Sequence, residues 1–220
     1  MRPLFVAAVL WASPASAVPE LPPDFGEAAS FDIVGGGSTR GGIAAAVTGG
    51  YPWSSVRVQV GLPGGVTPII AVDTALFRRW EPTAGVGGRF VDTPRGRFSG
   101  EVLLGWTIDA GEVPANGPRV VGRLRVMGKA GRVAPWGAIA TAHTLFFDDV
   151  VTQTAGGDFT ERSVRHQWAP VIEVGVAVAI GRNIGFELGF DWHLVGAPDA
   201  FALPGLHIGV QFGGEPGAAR

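Results

Sequence analysis

The strongest constraint on this chain is an alternation of apolar and polar side chains with a period of two. From Phe186 to Leu194 the even positions hold Phe, Leu or Trp, whereas the odd positions hold Glu, Gly, Asp and His. Successive side chains of a β-strand point to opposite faces, so the pattern predicts a strand with one apolar and one polar face. The same alternation runs through 56–62, 172–180 and 206–212.

The composition supports strands that are spread along the whole chain. Hydrophobic residues make up 46% of the 220 residues and charged residues only 16%, against a usual share of about 25%. No apolar run reaches the roughly 20 residues that a membrane-spanning helix needs. There are no cysteines, so disulfides cannot stabilise the fold. With a net charge of −2 and no Lys/Arg block, nucleic-acid binding has no electrostatic basis.

The first residues predict export from the cytoplasm. Arg2 precedes the apolar run Leu4 to Trp11, and Ala15-Ser16-Ala17 has the small-x-small form of a signal-peptidase site. We therefore predict a signal peptide over 1–17 and cleavage before Val18. The remainder divides into an extended N-terminal leader at 18–39, a β-barrel domain at 40–213 and a C-terminal tail at 214–220.

Ten strands are predicted, joined in antiparallel order. Short Gly- or Pro-containing turns alternate with longer connections at 109–118, 148–165 and 196–203, as expected of a barrel with two unlike rims. Eight or twelve strands are alternatives, because the pattern is broken at 31–38 and weak at 40–49 and 83–93. The predicted strands are 40–49, 54–63, 67–80, 83–93, 96–109, 118–129, 132–147, 165–181, 183–195 and 204–213.

The aromatic residues are sorted between the predicted rims. Interfacial aromatics of this kind form two girdles around membrane barrels, so we predict an all-β, antiparallel up-and-down transmembrane barrel. A soluble periplasmic β-domain that binds a small ligand is the alternative, but it does not explain the sorting. The predicted membrane-interface aromatics are Trp53, Trp80, Trp106, Trp168 and Trp192 at the long-loop rim, and Phe90, Phe98, Phe186 and Phe212 at the short-turn rim.

The strand positions that alternate with the apolar ones hold most of the charged residues, and their side chains would face the lumen. Arginines are concentrated on strands 2 to 6 and carboxylates on strands 8 and 9, and Glu101 is expected roughly opposite Arg125. Buried charges need partners, which favours a packed, charge-paired interior. A narrow pore for small polar solutes or ions is the alternative. The predicted lumen-facing network is Arg57, Asp73, Arg89, Glu101, Arg123, Arg125, Glu173, Glu187, Asp191, His193 and His207, with Gln59, Arg79, Arg97 and Gln211 on the same parity.

One cluster in this network contains the residue types needed for proton transfer. The expected register brings Glu173, Asp191 and His207 together, and two close carboxylates beside a histidine can move a proton. No nucleophile accompanies them, so no catalytic residue is predicted and a lipid-modifying barrel enzyme remains an alternative. No grouping has metal-ligand spacing, and no phosphate-binding or dinucleotide fingerprint is present, so neither a metal nor another cofactor is expected.

Together these features resemble those of small bacterial outer-membrane β-barrel proteins. The resemblance covers about 40–213 and includes a final alternating strand, Leu206 to Phe212, that ends on an aromatic residue, although Gly213 to Arg220 follow it. It implies residence in the outer membrane, contact with membrane lipids and with the barrel-assembly machinery, and a monomeric state. A structural or surface-interaction role is expected, with 148–165 as the exposed contact segment.

Overall fold

The fold was obtained as a computed structural model. It describes residues 42–110, 115–154, 157–181, 183–194 and 204–214. The signal peptide predicted at 1–17, the leader at 18–39 and tail residues 215–220 lie outside the described residues.

Ten antiparallel strands close into one barrel, so the predicted fold class and the count of ten are confirmed. Each strand pairs with its neighbours in sequence, and β1 closes the barrel against β10 through pairs that run from Ile43↔Gly214 to Tyr51↔Leu206. The strands are β1 Ile43–Tyr51, β2 Trp53–Val60, β3 Val66–Ala75, β4 Arg79–Thr93, β5 Gly96–Asp109, β6 Ala115–Gly128, β7 Val133–Thr154, β8 Gly157–Ala179, β9 Ile184–His193 and β10 Gly205–Gly214.

The connections between strands lie at two opposite rims of the barrel. The lower rim carries the β2–β3, β4–β5, β6–β7 and β8–β9 connections, and the upper rim carries the others. The β2–β3 connection contains a short 3-10 turn, Pro63–Gly65, in which Gly64 and Gly65 take φ of 81° and 79°. Glycine adopts this region without steric cost, which explains the Pro-Gly-Gly sequence. In the described ranges, no helix is long and apolar enough to cross a membrane.

The predicted alternation of short and long connections is confirmed only in part at the upper rim, where 110–114 join β5 to β6 and 194–204 join β9 to β10. Only Pro52 joins β1 to β2, and 76–78 join β3 to β4. Strand 3 was predicted to run to 80 and strand 4 to begin at 83. Pro82 instead lies within β4, opposite Val72, where no pairing with β5 is recorded at 81–82. A proline without an N–H fits at such an interruption.

The predicted long loop at 148–165 is also wrong, because this segment is a paired β-ribbon. β7 and β8 remain in register up to Thr154↔Gly157, although β6 pairs with β7 only as far as Phe147. Residues 148–154 of β7 and 157–163 of β8 therefore extend beyond the barrel wall. Alternation did not reveal them because a two-stranded ribbon outside a core has no face that must be apolar.

The barrel has an apolar outer surface and a polar interior. On β9 the outward side chains include Phe186, Phe190 and Trp192, each more than two-fifths exposed, whereas Glu187 and Asp191 between them are buried. An apolar surface that runs around the whole barrel is far larger than the patches found on soluble monomers. This surface therefore contradicts the alternative of a soluble β-domain.

Candidate functional site

The lower third of the barrel is sealed by its own inward side chains. Gln59, Ser99 and Met127 are no more than 1% exposed, and they stand on strands spread around the wall. A side chain that water cannot touch borders no continuous water path. The floor formed here comprises Gln59, Thr67, Ser99, Met127, Ala134, Trp136, Ala177, Ala179 and Gln211.

Trp136 is the largest side chain of this floor. Its ring lies over Gly175 and Gly189, where a Cβ atom would come within 2.8 and 3.1 Å of it. It packs in one cluster with Met127 and with three alanines of β7 and β8, Ala134, Ala177 and Ala179. Because its neighbours are so small, Trp136 fills most of this sector of the barrel.

A cavity of about 160 Å³ lies above the floor and is lined mainly by polar residues. It has room for several water molecules or one small polar ligand. Nine of the predicted lumen-facing residues border it: Arg57, Asp73, Arg123, Arg125, Glu173, Glu187, Asp191, His193 and His207.

Glu101 is the centre of the largest ion-pair network. Its carboxylate accepts hydrogen bonds from Arg57, one of them 3.0 Å long, and from Nη1 of Arg123 at 2.7 Å. Nη2 of Arg123 also lies 3.1 Å from Glu173 Oε1, and Nη2 of Arg125 lies 3.8 Å from Glu101 Oε1. In the strand register Glu101 is paired with Arg123. The predicted position opposite Arg125 was therefore wrong by two residues. The network connects β2, β5, β6 and β8.

A second network is centred on Glu81, which the sequence reasoning missed. Nε of Arg79 donates to Glu81 at 2.6 Å, and Nη2 of Arg119 lies 2.9 Å from its other oxygen. Glu81 was missed because 81–82 were assigned to a connection. Arg119 shares the parity of Arg123 and Arg125, so the alternation could have identified it. Because carboxylates stand among the arginines, the interior is not divided into one basic and one acidic wall.

The third group contains the carboxylate–histidine cluster. Asp191 pairs in register with Glu173, and its oxygens lie 3.3 Å from His193 Nε2 and 3.6 Å from His207 Nδ1. The structure thus brings Glu173, Asp191 and His207 together as expected. The indole of Trp53 stacks on His193 with ring centroids 5.3 Å apart.

Trp53 is therefore a correction to the predicted interface aromatics. It lies at a strand end, as expected, but its ring lines the cavity instead of the outer surface. Its odd position on β2 gives it the same inward parity as Arg57 and Gln59, which the rim assignment overlooked. The remaining predicted tryptophans (Trp80, Trp106, Trp168 and Trp192) are 42–55% exposed on the outside.

The other predicted residues lie nearer the lower rim. Arg89 lies in a cluster at the lower rim, where Asp92 is 2.9 Å from Arg89, 2.7 Å from Lys129 and 3.2 Å from Arg97. Glu187 accepts a hydrogen bond from Gln211 at the floor.

The lower-rim phenylalanines face outward. Phe90 and Phe98 contact each other with ring centroids 5.3 Å apart, and Phe186 and Phe212 are 43% and 46% exposed. Together with the outward tryptophans they form an upper tryptophan girdle and a lower phenylalanine girdle.

Among the described residues, no group of three or more His, Asp or Glu side chains could hold a metal ion.

A closed ten-stranded barrel with an apolar exterior and outward aromatic residues near both rims defines the class. The chain has the architecture of the small bacterial outer-membrane β-barrels.

Comparison with known proteins adds structural similarity alone. No protein-family model matches the chain, and no curated protein does. It is similar to the N-terminal β-barrel domain of Pseudomonas aeruginosa OprF, with a TM-score of 0.37 and 11% identity over 80% of this chain and 98% of that one. Neisserial surface protein A has a TM-score of 0.35 and 13% identity over 78% and 92% of the two chains. The KdgM porin has a TM-score of 0.34 and 10% identity over 78% and 98%. Because these TM-scores and identities are low, the class of protein is assigned from the features of this barrel and not from the similarity.

Proposed function

We propose that this chain resides in the bacterial outer membrane as a closed, non-conducting barrel with a structural or surface-interaction role. The observation that carries the proposal is the sealed floor, where inward side chains from seven strands are almost completely buried. The charged residues above it are engaged with one another, which favours a stable plug over a permeation path.

Insertion into planar bilayers is expected to produce no conductance steps. The floor leaves no water-filled path, so ions cannot cross even though the cavity above it is polar. Correct folding is verified by faster migration of the unboiled protein on a detergent gel. Reproducible steps from folded wild-type protein would refute the closed-barrel proposal and favour a narrow pore.

Trp136→Ala is expected to convert the silent barrel into a conducting one. The substitution removes the largest side chain of the cluster that contains Ala134, Ala177 and Ala179, so a water path can form through that sector. The measurement is single-channel recording of the folded variant. Trp192→Ala serves as the matched control, because it removes an outward ring and should leave the barrel silent. A folded Trp136→Ala barrel that stays silent would show that Trp136 is not the plug.

The β7–β8 ribbon is the part of the barrel that we propose for surface contact. It extends beyond the wall at the upper rim, and its β8 residues Arg162 to His166 are exposed. A lipid-modifying activity has less support, because the histidines at Asp191 lie in the interior and not on the outer surface. Shortening the ribbon should therefore leave folding intact but remove whatever surface binding the barrel has.

A further inference from the structure

One polar patch interrupts the apolar outer surface of the barrel. Thr141 and His143 on β7 and His166 and Trp168 on β8 face outward side by side, and we call them the histidine patch. Of the four histidines in the chain, the other two line the cavity. On the described parts of β9, which pairs with β8, and of β10 beyond it, every outward side chain is apolar. Polar side chains at this position in an apolar surface need partners.

The patch is a continuous hydrogen-bonded chain. Trp168 Nε1 donates to Thr141 Oγ1 at 2.7 Å, and Thr141 Oγ1 lies 3.3 Å from His143 Nε2. His143 Nδ1 lies 3.1 Å from His166 Nε2. The two imidazole planes differ by only 10°, and their centroids are 5.3 Å apart. Because Nδ1 of His143 and Nε2 of His166 are much closer together than the ring centroids, the two rings meet edge to edge through one N–H···N hydrogen bond.

The donor–acceptor direction of this chain follows from the hydroxyl of Thr141. An indole N–H can only donate, so Thr141 accepts from Trp168 with one lone pair. Its second lone pair could also accept, but among the described residues His143 Nε2 is the contact that can take the hydroxyl proton, so this proton is directed there. Neutral His143 must then carry its proton on Nδ1 and donate it to His166 Nε2. Neutral His166 in turn carries its proton on Nδ1, and this N–H is the terminal donor of the chain.

We propose that the Nδ1–H of His166 binds the phosphate of a lipid headgroup in the leaflet at the upper rim. The proposal rests on the membrane residence proposed above. The patch is continuous with the apolar outer surface and includes Trp168 of the tryptophan girdle, the level at which headgroups lie. A phosphate oxygen is a charged acceptor and forms a stronger bond than water does.

The first test is the tautomer of the two neutral imidazoles, that is, which ring nitrogen carries the proton. Nitrogen-15 NMR of folded barrel in dodecyl maltoside should show His143 and His166 both protonated on Nδ1. Thr141→Val removes the hydroxyl with little change of shape, and should abolish the preference at His143. A proton on Nε2 of wild-type His166 would contradict the direction of the chain and overturn the proposal.

The second test is a lipid titration of the same sample. Phosphatidylglycerol should shift the His166 Nδ1 and Trp168 indole signals with saturation, whereas diacylglycerol with the same chains should not. In His166→Phe, which keeps a ring but has no N–H donor, the affinity followed by the indole signal should fall about tenfold through loss of one hydrogen bond to a charged group. Trp192→Phe, on the next strand, should retain the wild-type affinity.

Three results of the titration would overturn the proposal. These are an equal response to diacylglycerol, an equal response to free inorganic phosphate, and unchanged affinity in His166→Phe. The outcome is separable from that of the proposed function, because a conducting barrel with a phosphate-dependent shift would refute only the closed state. Protein that fails to migrate as a folded barrel and gives no lipid response would refute both.

Discussion

Replacing Glu101 by Gln is expected to lower the free energy of unfolding by about 3–5 kcal/mol, the loss found when a buried ion pair is broken from one side. Glu101 is 5% exposed and bonds to Arg57 and Arg123, with Arg125 close by. Glutamine has nearly the same shape but no charge, so three buried guanidinium groups lose their common anion. Urea unfolding of the detergent-folded barrel, followed by tryptophan fluorescence, measures the change.

Glu161→Gln is the matched control for this loss. Glu161 lies on the β7–β8 ribbon opposite Val150, outside the closed wall, and the same substitution there should change stability by about 0.5 kcal/mol or less. Equal effects at the two positions would show that the Glu101 network contributes nothing special. An unchanged barrel after Glu101→Gln would mean that the arginines find other partners.

Placing an arginine at the middle of the outer surface should be nearly as damaging. Val102 is 53% exposed and stands midway along β5 between Phe98 of the lower girdle and Trp106 of the upper girdle. At the bilayer midplane a lipid-facing arginine costs about 2–4 kcal/mol, so Val102→Arg should destabilise the barrel by this amount when folded into vesicles. The measurement is urea unfolding in vesicles, with gel migration as the check on folding.

Position 91 provides the comparison for this substitution. Val91 is 52% exposed and pairs with Phe98 at the lower girdle, where a charged side chain reaches the headgroups and costs about 0–1 kcal/mol. If Val102→Arg and Val91→Arg are tolerated equally, the outer surface does not face lipid. Membrane residence would then have to be abandoned.

The alternation of side chains was sufficient to predict the architecture. A period of two determines which face of the strand each residue occupies. In a barrel with an apolar exterior, the apolar face must point outward on all ten strands. Arg57, Glu101 and Asp191 were therefore placed inside without knowledge of their partners. The same rule would have placed Trp53 inside, had parity been given more weight than proximity to a rim.

Partners and strand lengths could not be predicted in this way. The pairing of Glu101 with Arg123 instead of Arg125 depends on a two-residue difference in register, to which side-chain parity is insensitive. Arg57 and Glu101 belong to strands three apart, so only the closed geometry brings them together. The ribbon beyond Phe147 is maintained by backbone hydrogen bonds between two strands, which impose little requirement on side-chain type.

The interior ion pairs also determine how the barrel can assemble. The chain of contacts from Arg57 through Glu101 and Arg123 to Glu173 spans β2 to β8, and none of these strands except β5 and β6 are neighbours. An open sheet could keep Glu101 paired with Arg123 across β5 and β6, but it would separate Arg57 and Glu173 from these partners in an apolar medium. Closure and charge neutralisation therefore occur together, which makes the final step cooperative and disfavours partly formed barrels.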